Sequence, residues 1–98
     1  MDDNQIVNAI IDVLIERTAK GQFEWNVTES GWCAEVGNGC TVHLWPVYPE
    51  VRLTQNGAAF PDFRVETYPT IQKLIDEVSI KFPRPKLDLE AFYKCLTE

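Results

Sequence analysis

The segment Cys33–Trp45, CAEVGNGCTVHLW, holds two of the three cysteines and the single histidine of this 98-residue chain. Two thiols and an imidazole at that spacing are the ingredients of a zinc site, or of a thiol nucleophile with its base. Zinc sites favour a close Cys pair, and Cys33-x6-Cys40-x2-His43 has no such pair. Glu24 and Glu35 offer a second chemistry. Two carboxylates side by side can split their pKa values for general acid–base work, or ligate a hard cation with Thr41 and water. Which of these can act depends on which side chains share a face, and that is set by the elements that carry them.

Those elements alternate with period two from Gln22 onward. Phe23, Trp25 and Val27 alternate with polar residues, then Trp32, Ala34 and Val36, then Cys40, Val42 and Leu44, then Val51 and Leu53. Turn residues stand between the runs: Glu29-Ser30-Gly31, Gly37-Asn38-Gly39, Pro46 to Pro49, and Asn56-Gly57, a two-residue hairpin signal that leads to a fifth strand at Ala58 to Phe60. A three-residue Gly37-Asn38-Gly39 loop pairs Val36 with Cys40, Ala34 with Val42 and Cys33 with His43. This register keeps the apolar residues on one face, whereas an Asn38-Gly39 turn pairs Ala34 with His43 and mixes the faces. The same logic pairs Val27 with Trp32, Glu24 with Glu35, Trp45 with Glu50, and His43 with Arg52. Cys40 is then expected in the core, slow to alkylate, with Cys33 and His43 on the opposite face. No metal site is expected from ligands that diverge.

Helical spacing brackets the strands. Ile6, Val7, Ile10, Val13 and Leu14 form one stripe, capped by Asp2 to Asn4 and closed by Gly21, which predicts a helix over Asn4 to Lys20. Ile71, Leu74, Ile75 and Val78 predict a second, opened at Pro69 and ended by Pro83 and Pro85. Asp88 caps a third, with Leu89, Phe92 and Leu96 expected to face inward. The fold class this predicts is α+β over residues 1–98 as a single domain. A two-layer arrangement follows: an antiparallel meander of four to five strands, with one N-terminal and two C-terminal helices packed on one face.

Composition narrows the function. A net charge of −6, with nine scattered Lys and Arg, argues against nucleic acid, which demands a basic stripe. Lys81, Arg84 and Lys86 are broken up by Pro83 and Pro85, as a solvated linker would be. No apolar run reaches the roughly 18 residues of a membrane span, and the acidic MDDNQ start is unlike a secretory leader. Three cysteines make a poor disulfide framework, so the expected setting is reducing and cytoplasmic.

The stretch Ile15-Glu16-Arg17-Thr18-Ala19-Lys20-Gly21-Gln22-Phe23-Glu24-Trp25 resembles the opening of small bacterial α+β proteins, in which a helix ending Thr-x-x-Gly leads into a Trp-bearing strand. The Asn56-Gly57 hairpin and two closing helices extend the likeness along most of the chain. It implies the fold and no activity, and the Pro46 to Pro49 segment, Cys33 and Cys40 depart from it.

Two functional classes follow. The first is a small acidic accessory protein, regulatory or immunity-like, that binds a protein partner or itself through the outer sheet face, with Trp45, Tyr48, His43 and Arg52 as contact residues. The Trp45–Pro49 loop is braced by two prolines, so its aromatic rings lose little entropy on binding. The second is a ligand-binding protein or enzyme with a polar site around Glu24, Glu35, Cys33 and His43. No oxyanion-hole sequence accompanies these residues, so no catalytic residue and no cofactor is assigned. The aromatic residues Phe23, Trp25, Trp32, Phe60, Phe63 and Phe92 are expected in the core, and Trp45, Tyr48 and Tyr68 partly exposed.

Overall fold

The computed structural model describes residues 2–84 and 88–98. Pro85 and Lys86, placed above in a linker, lie outside the described residues. The chain runs α1 (Asp3–Ala19), β1 (Asn26–Val27), β2 (Trp32–Gly37), β3 (Cys40–Trp45), β4 (Glu50–Gln55), β5 (Ala58–Ala59), β6 (Phe63–Arg64), α2 (Ile71–Lys81) and α3 (Leu89–Thr97). The strands form one antiparallel sheet in the order β1-β2-β3-β4-β5, with β6 pairing β4 beyond the meander.

Helix α1 begins with a capping box. The Asp2 carboxylate accepts from the Gln5 amide, and the Gln5 side chain accepts from the Asp2 amide, so two orphan donors are satisfied together. It ends in a Schellman motif: Gly21, at φ +73°, donates to Thr18, and Gln22 donates to Arg17. Between these ends Val7, Ile11, Leu14 and Thr18 are buried. Helix α2 buries the four residues of its apolar stripe, Ile71, Leu74, Ile75 and Val78. Each such burial stabilises the fold by about 1.5–3 kcal/mol. The two helices run parallel. Tyr68, just before α2, donates its hydroxyl to Asn4 at 2.6 Å, and Lys81 at the far end donates to the Ala19 carbonyl at 2.6 Å. Tyr68 was expected to be partly exposed but is buried, because its hydroxyl has this partner 64 residues away and its ring meets Phe63 edge-on at 5.6 Å.

The sheet supplies the rest of the core from Trp25, Trp32, Ala34, Val42, Leu44 and Val51. Trp25 donates its indole N–H to Thr18 and Trp32 donates to the Phe82 carbonyl, at 3.0 and 2.8 Å. Both rings therefore bury a polar atom without leaving it unpaired. The β3–β4 register is Trp45↔Glu50, Leu44↔Val51 and His43↔Arg52, as the four-residue loop demands. The Asn56-Gly57 turn has both residues at positive φ, the geometry of a type I′ hairpin.

The β2–β3 hairpin differs from expectation in an instructive way. It pairs Gly37 with Cys40 around Asn38-Gly39, yet Ala34 still faces Val42 and Cys33 still faces His43. A bulge at Val36, between Glu35 and Gly37, absorbs the extra residue and preserves the apolar face. Cys40 is consequently half-buried, as is Cys33, so the expected contrast in burial between the two thiols does not hold. The short β1 likewise stops the ladder at Asn26, and Glu24 has no strand partner at Glu35.

The largest departure is α3. Leu89, Phe92 and Leu96 were expected to face inward but are 83%, 65% and 73% exposed; Tyr93 beside them is 66% exposed, and no residue of the helix is buried. The molecule measures 58 × 27 × 26 Å, with a radius of gyration of 15.4 Å. A compact domain of this length has about 13 Å. Phe60, also assigned to the core, is exposed on the edge beyond β5.

Candidate sheet-face site

The face of the sheet opposite the core is built from the odd positions of β3, the facing positions of β2 and β4, and one residue contributed by the segment before β6. In the row Asn26, Cys33, His43, Arg52, each residue is the ladder partner of the next. Trp45 lies two residues along β3 from His43, on the same face, and the two rings stack at 5.9 Å with planes 12° apart. The Arg52 guanidinium lies 5.1 Å from the Trp45 ring centre, within cation–π range. The Trp45 indole N–H donates to Ser30 at 3.0 Å. One aromatic ring is thus held by a stacked imidazole, a cation and a hydrogen bond.

Arg52 is itself held. Its Nε and a terminal nitrogen donate to the two oxygens of Asp62 at 2.7 and 3.1 Å, the forked geometry that fixes a guanidinium plane. The hydrogen bonds from Arg52 lower the Asp62 carboxyl below its ordinary value; burial opposes them, and the charges of Arg52 and Arg64 add to the lowering. A depressed carboxylate contributes where it is ionised. The contribution is present above the ordinary Asp range and is lost as pH falls through the lowered value. The expected result is a tryptophan-fluorescence transition in strong acid, as Asp62 takes up its proton and loosens Arg52 from its place over Trp45. Asp62→Asn should remove that acid transition, and an unaltered transition in the variant would show that Asp62 does not hold the cluster. Arg64 pairs with Glu50 at 3.0 Å beside it, so the outer face carries its cations already matched to acids.

Of the residues expected at a contact surface, the structure brings together His43, Trp45 and Arg52. Tyr48 stands apart on the Pro46–Pro49 loop, 67% exposed, beside the equally open Val47. Ser30 and Asp62 belong to the cluster and were missed. For Asp62 a signal existed: Phe63, Arg64 and Val65 alternate as a short strand does, and β6 pairing with β4 brings the preceding Asp to Arg52. Of the alternative polar site, Cys33 and His43 are ladder partners and Glu35 lies on the same face opposite Thr41, while Glu24 lies outside β1. Among the described residues no three of His, Cys, Asp and Glu lie close enough together to hold a metal ion. Also among them, no helix is long and apolar enough to cross a membrane.

No protein-family model matches this chain, and no curated protein or solved structure matches it either.

Two apolar grooves lie elsewhere. One, of about 330 Å³, is lined by Ile6, Ile10, Val13, Arg17, Phe23 and Val36 among others. The other, of about 250 Å³, shares Ile10, Leu14 and Val36 and continues to Cys40, Leu53 and Phe60. None of the outer-face cluster lines them.

Proposed function

We propose that this is a small acidic accessory protein that binds a protein partner through the outer sheet face and the Trp45–Pro49 loop. The observation that carries this reading is the ordering of Trp45. Its indole is fixed in place by His43, Arg52 and Ser30 while it remains only half-buried, next to a loop that presents Tyr48. A ring already held in its binding orientation loses little entropy when a partner covers it, and Trp, Tyr and Arg are the residues on which interface affinity concentrates. The neutralised charges around it, Arg52 with Asp62 and Arg64 with Glu50, suit a surface that must lose water on contact.

The test compares three baits in capture from a host extract: the unaltered protein, Tyr48→Ala and Trp45→Ala. Tyr48 is an exposed loop residue, so Tyr48→Ala should leave stability within about 0.5 kcal/mol. Each ring removed should weaken binding of the captured protein by roughly thirtyfold or more, the loss expected of an anchor residue. Equal capture by all three baits would refute the assignment. So would a loss confined to Trp45→Ala that tracks a fall in melting temperature, because the ring would then be acting as packing.

A further inference from the structure

The strongest unassigned feature is a pair of surfaces on one chain. The first is the apolar stripe of α3, Leu89, Phe92, Tyr93 and Leu96, which spacing puts on one side of a nine-residue helix and each of which is about two-thirds exposed or more. The second is a groove made of two adjoining parts that share Ile10, Leu14 and Val36; it lies along the Ile6, Ile10 and Val13 side of α1 and reaches Leu53 and Phe60. No α2 or α3 residue lines it. Ile6, Val13 and Phe60, which flank it, are each more than two-fifths exposed. A helix that buries nothing and a groove with no helix in it are complementary in kind.

We propose that two copies of the chain form a symmetric dimer in which each inserts the apolar face of α3 into the α1–sheet groove of the other. Area favours the reciprocal arrangement. Four large side chains at the observed exposures present on the order of 500 Å² per helix, taking about 200 Å² for each large side chain. Even a groove that matched this area would bring one insertion to only about 1,000 Å², below the roughly 1,200–2,000 Å² of stable interfaces, so only the reciprocal pair can reach that range. A two-fold axis supplies the second insertion automatically, since each copy carries both surfaces. Groove and helix are distinct from the Trp45 face, so this dimer neither requires nor excludes a partner there.

Light scattering on the full chain over a wide concentration range should show twice the chain mass, with dissociation on dilution. Each chain carries −6, so added salt should strengthen the dimer by screening repulsion between like-charged copies. Two variants probe the two surfaces. Phe92→Glu with Leu96→Glu alters exposed residues only, and Val13→Glu alters the groove at a half-open position. Each should weaken association thirtyfold or more with an unchanged circular-dichroism spectrum. An equimolar mixture of the two variants retains one intact helix and one intact groove, and should recover a weaker dimer. A monomer at all concentrations would overturn the proposal, whether or not α3 is protected from hydrogen exchange by folding onto its own groove. Dimers abolished by the helix variant but indifferent to Val13→Glu would mean that α3 pairs with α3, and would overturn it as well.

Discussion

Trp32→Ala should cost about 3–5 kcal/mol of folding stability, the largest loss expected from any side-chain truncation in the sheet. Trp32 opens β2, is almost fully buried, and donates its indole N–H to the Phe82 carbonyl 50 residues later. Arg84 lies over its outer side at 5.7 Å while donating to the Glu29 carbonyl. Removing the ring therefore opens a cavity in the core, strands the carbonyl that ends α2, and releases the cation that covers it. At about 4–8 °C per kcal/mol for a domain of this size, the melting temperature should fall by at least about 12 °C. Trp32→Phe separates the contributions. It keeps most of the volume and loses the hydrogen bond, so about 1–3 kcal/mol is expected, the cost of leaving a buried acceptor unpaired. Equal losses from Phe and Ala would show that the bond to Phe82, and not the packing, dominates at this position.

Gly31→Ala is the second large effect, and it acts through a single methyl group. Gly31 is buried in the turn that joins β1 to β2, donating to the Thr28 hydroxyl while its carbonyl accepts from the Thr28 amide. A Cβ there would overlap the carbonyl oxygen of Leu44 on β3, with the Leu44 carbon and the Trp45 Cα close behind. All three obstacles are backbone, so no rotamer change relieves them. The strand pair must separate, and Leu44 is one of the best-buried residues in the core. Overpacking of this kind costs about 1–3 kcal/mol where side chains can yield, and here the upper end or beyond is expected. Gly37→Ala is the control. Nothing lies within 4 Å of its Cβ position and its φ is not positive, so stability should hold or rise by a few tenths of a kcal/mol. Chemical denaturation of both variants checks the pair. Equal midpoints would show that the sheet accommodates a methyl at Gly31 by a shift too small to matter.

Period-two parity made much of this fold legible. It placed His43 opposite Arg52, Cys33 opposite His43 and Trp45 on the outer face, because only one register keeps Ala34, Val42 and Leu44 together. The stripe of α2 was equally plain. The Val36 bulge was not, since turn preference and facial parity point to different registers and the chain satisfies both with one extra residue. Tyr68 was misjudged because its hydroxyl partner, Asn4, is remote in sequence. Helix α3 misled for a different reason. An apolar stripe states that a surface is to be covered, and reads the same whether the cover is the chain's own sheet or another molecule. Within the site, Trp45, His43 and Arg52 came from parity, while Asp62 and Ser30 depend on where two loops fall.

The parallel pairing of α1 with α2 has a consequence for how the protein comes off the ribosome. Asn4 waits for Tyr68, Ala19 for Lys81, and Trp32 for Phe82. A nascent chain that has extruded only the meander has Ile11, Leu14, Trp25 and Trp32 without the helix that closes over them. Contacts this distant in sequence form slowly, because a long loop must close before any of them is rewarded. The first two-thirds of the sequence should thus emerge with apolar surface uncovered until residues 68–82 arrive. Holdase chaperones should meet this protein during translation, and release it once α2 has emerged.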